Sequence, residues 1–160
     1  MLKYAGIFAI ASAIAAFGAI KASSIKQKSE IRKEIIRFIS HIESCINFGT
    51  APLCDIYCSF NSELFEKCGF KKLIASGFIN QASIKNALSE LSKDEIYTLS
   101  EFFSNIGTSF SRQEEIRLCK YYLSAFETFY EENIKTDNSK ASLYKKLGII
   151  CALMTAIILI

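Results

Sequence analysis

A single proline and seven glycines are spread over 160 residues, and there is no low-complexity run. That scarcity argues against a disordered or collagenous chain and against a many-stranded fold with frequent turns. Histidine is scarcer still, at one residue, His41. The motifs that cradle phosphates or expose a nucleophile are missing: there is no Gly-x-Gly-x-x-Gly, no Walker loop and no Gly-x-Ser-x-Gly. A net charge of +3 lacks the strong basic excess of a nucleic-acid binder. The most uneven absence is that of charge itself. Lys3 is the one charged residue outside residues 21–146, so the centre holds 18 of the 19 Lys and Arg and all 16 Asp and Glu. A chain of this length makes one ordinary domain, and the uneven part of its 51% hydrophobic content lies at the two ends.

The first apolar run, Tyr4 to Ile20, is seventeen uncharged residues, about 26 Å as a helix and near the lower limit for crossing a bilayer. A signal peptide is the rival reading, with Met1, Leu2 and Lys3 as its charged opening. Its Ala-x-Ala sites come too early, however, and a basic cluster follows at Lys21, Lys26, Lys28, Arg32, Lys33 and Arg37, which is stop-transfer chemistry. The last run, Leu147 to Ile160, is short for a span, but Leu143 and Tyr144 extend it to about 27 Å while Lys145 and Lys146 snorkel. Cations flank both runs on the central side, so the positive-inside rule places the centre in the cytoplasm. The expected organisation is a transmembrane helix over 1–21, a cytoplasmic helical domain over 22–142 and a second transmembrane helix over 143–160. Lys21, Lys145 and Lys146 are the membrane-flanking cations. Small residues recur every four positions at Ala5, Ala9, Ala13 and at Ala11, Ala15, Ala19 in the first span, and at Gly148, Ala152, Ala156 in the second. Such stripes permit close helix packing, though alanine is also simply common in membrane helices.

Five of the six cysteines, Cys45, Cys54, Cys58, Cys68 and Cys119, fall in the proposed cytoplasmic domain, and Cys151 falls in the second apolar run. Reduced thiols are expected there. Cys54-x3-Cys58 with Cys45, Cys68 and His41 lacks the paired spacing of a zinc site, and a cysteine at helical spacing ordinarily acts as a small hydrophobe. No catalytic residue, metal or cofactor is therefore expected. The acids Glu114, Glu115, Glu131 and Glu132 read as solvated helix faces.

The central pattern is helical throughout. Ile31, Ile35, Phe38, Ile42 and Cys45 make a narrow seam with steps of four and three. Gly49-Thr50-Ala51-Pro52-Leu53 then turns the chain, with Gly49 as a helix stop, Thr50 as an N-cap and Pro52 in the first turn of the next helix. Leu53, Ile56 and Phe60 return along the seam, making a helical hairpin. Short helices broken at Gly69 and Gly77 follow, carrying Leu64, Phe65, Cys68, Leu73, Ile74, Phe78, Ile84, Ala87, Leu88 and Leu91. Capping boxes at Ser92-Lys-Asp-Glu95 and Ser111-Arg-Gln-Glu114 open two further helices. The first carries Ile96, Leu99, Phe102 and Ile106 and stops at Gly107. The second carries Ile116, Cys119, Tyr122, Leu123, Phe126, Phe129 and Tyr130, and its polar continuation, Glu131 to Ser142, is expected to stand in solvent. The fold class is all-α: an antiparallel helical bundle whose long first and last helices continue into the two spans.

Laid out in this order, the chain resembles the stage III sporulation protein AB family of endospore-forming bacteria. The residues that carry the resemblance are the opening Met1-Leu2-Lys3 and its short apolar run, the turn Gly49-x-x-Pro52-Leu53, the stretch from Leu91-Ser92 through Gly107 to Phe110-Ser111, and Lys140-Ala-Ser-Leu-Tyr144-Lys-Lys-Leu147-Gly148. Gly-x-x-Pro-Leu also occurs in type II secretion F proteins, which the family resembles in its helical fold. The resemblance implies a non-enzymatic membrane component of the assembly linking mother cell and forespore. Its helical domain would face the mother-cell cytoplasm as a platform beside a stage III sporulation AA-type ATPase and other sporulation membrane proteins. Gly49, Pro52 and Leu53 carry over as the hairpin turn. The alternatives are a thiol- or metal-dependent enzyme using Cys54, Cys58 and His41, and a processed, exported helical domain.

Overall fold

The computed structural model describes residues 2–49, 51–109 and 111–159. Among these there are seven helices and no strand: α1 (Leu2–Phe48), α2 (Leu53–Ser59), α3 (Glu63–Lys67), α4 (Phe70–Ser76), α5 (Gln81–Ala87), α6 (Lys93–Asn105) and α7 (Arg112–Leu159). The all-α class with long first and last helices is as the sequence predicts. The chain divides into two compact units, Glu30–Glu131 on the one hand and Met1–Ser29 with Glu132–Ile160 on the other.

In the central unit, Ile31, Ile35, Phe38 and Ile42 are buried as the seam requires, while Cys45 is half-buried. The seam is wider than the spacing implies, because Ile39 is fully buried too. Two apolar positions per turn mean that α1 lies within the bundle rather than against one partner. Phe38 shows why: its ring meets Tyr57 at 5.8 Å, Phe60 at 5.2 Å, Phe65 at 5.7 Å and Phe103 at 6.2 Å. These are tilted and edge-on contacts of the kind aromatic quadrupoles favour. The stripe is thus satisfied inside the unit and requires no second copy.

The glycine breaks fall where expected. Gly69 (φ 79°) separates α3 from α4, and Gly77 (φ 71°) ends α4, both in the left-handed region where a side chain is strained. Two residues depart from the pattern. Phe78, assigned to the apolar set, is 84% exposed, whereas Phe70, outside that set, is fully buried edge-on to Phe65 at 4.8 Å. Each adjoins a glycine, and the reversal at the glycine, rather than helical periodicity, decides which way the ring points. Pro52 also differs from expectation: it is the cap before α2, not part of its first turn, and its carbonyl accepts from Asp55 N and Ile56 N at 3.0 and 3.1 Å. The Thr50 cap lies outside the described residues.

The capping box at α6 forms in both directions, with Ser92 N donating to Glu95 Oε2 (2.7 Å) and Glu95 N donating to Ser92 Oγ (3.3 Å). The α7 start is likewise at the predicted place, the Ser111 carbonyl accepting from Glu114 N and Glu115 N at 3.1 Å each. Core residues from every helix of this unit then meet, Ile56, Phe65, Ile74, Ile84, Leu99, Phe102, Cys119 and Phe126 among them.

In the other unit the ends of α1 and α7 run antiparallel. Gly18, Ala22 and Ser29 are buried on one helix, and Asp137, Ala141, Gly148 and Ala152 on the other. The steps of four and seven make a coiled-coil-like stripe of small residues. The segment Glu131–Ser142 therefore does not simply stand in solvent: Asp137 and Ala141 fall on that stripe and are covered by the pairing.

Candidate functional site

Two connections, α1 to α2 and α6 to α7, meet at one end of the central unit. Gly49 N donates to the Cys45 carbonyl at 2.8 Å, and a Cβ on Gly49 would come within 2.9 Å of that same oxygen. Arg112, at the start of α7, donates from Nη2 to the Gly49 carbonyl at 3.1 Å. Leu53 presses on Gly107, where a Cβ would stand 2.5 Å from Leu53 Cδ1 and where φ is +82°. The positive φ is what calls for glycine at 107, while the Leu53 methyl, at the end of a flexible side chain, can give way. Pro52 is exposed.

Glu115 fixes the second connection. Its carboxylate accepts from Gly107 N at 3.0 Å and from Ser109 N at 2.9 Å, and its side chain is buried. This corrects the reading of Glu114 and Glu115 as a solvated pair: Glu114 is exposed, but Glu115, one residue on, turns inward. Glu131 and Glu132 are exposed. The Ser111-to-Glu114 spacing draws attention to the wrong acid, and the signal for the right one is the unsatisfied amides around Gly107, which need an acceptor. Together these groups border a cleft of about 250 Å³ with Ile46, Leu53 and Ile56 as its apolar floor. Arg112 and Glu115 are both committed to backbone partners, so the cleft offers shape and apolar surface rather than a poised acid or base.

A second feature was hidden in the basic cluster. Arg32 is not a membrane-flanking cation but is buried and ion-paired, its guanidinium donating to Glu95. Burial by itself would raise the Glu95 carboxyl, yet the bonds from Arg32 and Ser92 outweigh it and hold the group below its ordinary value. Glu95 therefore closes the capping box of α6 and ties that helix to α1. Arg37 is also engaged, donating to Glu34 at 2.7 Å.

The residues that a thiol or metal enzyme would use do not gather into one set among the described residues. His41 Nε2 lies 2.9 Å from Ser59 Oγ and 3.6 Å from Cys45 Sγ, with its ring against Phe60. Cys54 and Cys58 are exposed on α2, and the Cys54 thiol faces Asp55 at 3.7 Å. Among the described residues no three His, Cys, Asp or Glu side chains group as metal ligands. Burial, with the nearby charges of Glu115 and Glu43, pushes the Cys119 thiol up to about 12, and burial raises Cys68. Both stay protonated at neutral pH and pack as hydrophobes.

In the paired apolar helices, Gly18 and Gly148 touch backbone to backbone. A Cβ on Gly18 would lie 2.8 Å from both Gly148 Cα and the Tyr144 carbonyl, and one on Gly148 would lie 3.0 Å from Gly18 Cα. Ala152 is buried and Ala156 half-buried beside this crossing. In α1 the residue at the closest approach is Gly18, which the four-residue alanine stripes overlook. Ala9, Ala13 and Ala19 are exposed, Ala11 and Ala15 are half-buried, and the Ala5 side chain lies outside the described ones. Lys21, Lys145 and Lys146 are exposed, Lys21 lying over the Phe17 ring at 5.9 Å. The windows of highest hydropathy in α1 and α7 are each only 11% buried within the protein.

The model of the stage III sporulation protein AB family matches residues 3–160. The chain belongs to that family. No curated protein and no solved structure matches it. The match runs through both apolar helices as well as the central unit, so the stage III sporulation protein AB family includes the terminal segments as integral parts. Membership carries a role in sporulation, and the family is one of sporulation proteins, not a known family of enzymes.

Proposed function

We propose that this protein is a non-enzymatic platform of the mother cell–forespore assembly, held in the mother-cell membrane by the ends of α1 and α7 with Glu30–Glu131 in the cytoplasm. The observation that carries the membrane part is the low burial of two long apolar helices inside the protein. Apolar helix faces that the protein does not cover need another apolar medium, and lipid supplies it. Lysines on the central side of both runs favour the cytoplasmic orientation. In the platform reading, the rigid end formed by Gly49, Pro52, Leu53, Gly107 and Arg112 docks a secretion-type ATPase, the stage III sporulation AA-type protein, and couples it to sporulation membrane proteins. Its apolar cleft with a polar rim has the composition of a protein-binding patch.

The test is purification of the tagged full-length chain from membranes of sporulating cells, with mass spectrometry of what accompanies it. Recovery of an uncleaved chain with a secretion-type ATPase supports the proposal. A soluble chain shortened near Lys21 and free of such partners refutes it. Orientation is read separately with a membrane-impermeant maleimide. Exposed Cys54 and Cys58 should label in intact cells only after permeabilisation.

A further inference from the structure

Between the ends of α1 and α7, within their own unit, lies a cleft of about 550 Å³. Ala22 and Ala141, both buried, make its floor, and Ser23, Lys26, Asn138, Ser142 and Lys145 supply its polar wall. The wall thus offers two ammonium groups, two hydroxyls and an amide, with no carboxylate. The surrounding charge is equally one-sided. Residues 1–29 and 138–160 contain Lys3, Lys21, Lys26, Lys28, Lys140, Lys145 and Lys146 and no Asp or Glu. Asp137, the nearest acid along α7, is buried and already engaged. Asn138 and Ser142 also open onto a second groove, of about 580 Å³, that follows Leu143, Leu147 and Ile150 along α7. A cationic, hydrogen-bonding recess therefore adjoins an apolar track, at the level where charge gives way to the two uncharged runs.

We propose that this cleft binds the headgroup phosphate of an anionic phospholipid. Lys26 and Lys145 neutralise the phosphate, and Ser23, Asn138 and Ser142 donate to its oxygens. One acyl chain follows Leu143, Leu147 and Ile150. Basic recesses between membrane helices suit such headgroups, and the lysines add the attraction of an uncompensated positive field to an anionic leaflet. Free phosphate shares the headgroup chemistry but leaves the apolar track unused. The inference rests on the two-span reading above.

The full chain is reconstituted into phosphatidylcholine vesicles carrying a trace of spin-labelled phosphatidylglycerol or spin-labelled phosphatidylcholine. The immobilised fraction of each is measured by electron paramagnetic resonance. The protein should immobilise phosphatidylglycerol preferentially, and Lys26→Gln with Lys145→Gln should cut that preference by roughly fivefold for each lysine removed. The paired control Lys21→Gln with Lys140→Gln removes the same charge outside the cleft and should lower the preference by clearly less than the cleft pair does, through the general field alone. Equal immobilisation of both lipids, an equal loss in the control, or abolition by excess inorganic phosphate would each overturn the proposal. A chain that resists carbonate extraction yet shows no preference overturns this inference alone. A chain that carbonate strips from the vesicles overturns the two-span reading with it.

Discussion

Removing the charge from Glu95 tests the packing of the central unit most directly. Glu95 is 1% exposed, takes the Arg32 guanidinium, and accepts from Ser92 N at 2.7 Å. Glu95→Gln keeps an oxygen for the Ser92 amide but removes the carboxylate charge that faces Arg32, also 1% exposed. Breaking one side of a buried pair costs about 3 kcal/mol, because the remaining ion keeps its desolvation penalty and loses that attraction. Glu95→Ala also loses one arm of the capping box and should cost roughly 1 kcal/mol beyond that. Replacing both partners, Arg32→Met with Glu95→Gln, removes the desolvated cation as well and should recover part of the loss. The assay is urea-dependent pulse proteolysis of the full chain in lipid nanodiscs, which reports opening of the central unit without requiring the apolar helices to unfold. The pH dependence has a definite sign. The folded carboxyl is held below its ordinary value of 4.5, so its contribution is fully present above that pH and disappears as pH falls through the folded value. Wild type and Glu95→Gln should therefore differ by a constant amount from pH 5 to 7 on the order of the cost above and converge in stronger acid. A single-variant cost below about 1 kcal/mol, or a double variant no better than the single, would refute the reasoning.

Three further outcomes are expected. Gly107→Ala should destabilise by about 1–2 kcal/mol, chiefly through the positive φ; adding Leu53→Ala should relieve only the small steric share, measured as a non-additive term in the same proteolysis assay. Gly148→Val should disrupt the α1–α7 crossing by about 1–3 kcal/mol and lower the thermal midpoint in nanodiscs, while Ala9→Val, at an exposed position, should leave it unchanged. With iodoacetamide at neutral pH, Cys54 and Cys58 should react in the folded protein, whereas Cys119, buried and pushed up to about 12, should react only after denaturation; early alkylation of Cys119, followed by mass spectrometry of peptides, would show that its core environment is misassigned.

Much of the fold was legible because it is written in local terms. The seam from Ile31 to Ile42 follows the helical period, Gly69 and Gly77 break it where only glycine is comfortable, and Ser92 with Glu95 closes a box through bonds three residues apart. The uncharged ends and the lysines beside them likewise need nothing beyond composition. Tertiary structure decided what depends on residues distant in sequence. Arg32 reads as one cation among six until Glu95, sixty-three positions away, is folded against it. Glu115 is indistinguishable from Glu114 until the amides of Gly107 and Ser109 turn toward it, and Gly18 has no special standing until Gly148 is opposite. The physical division is one of range. Periodicity, caps and hydropathy act within a few turns of chain, whereas the partner of a buried charge or the closest approach of two helices exists only after long loops have been closed.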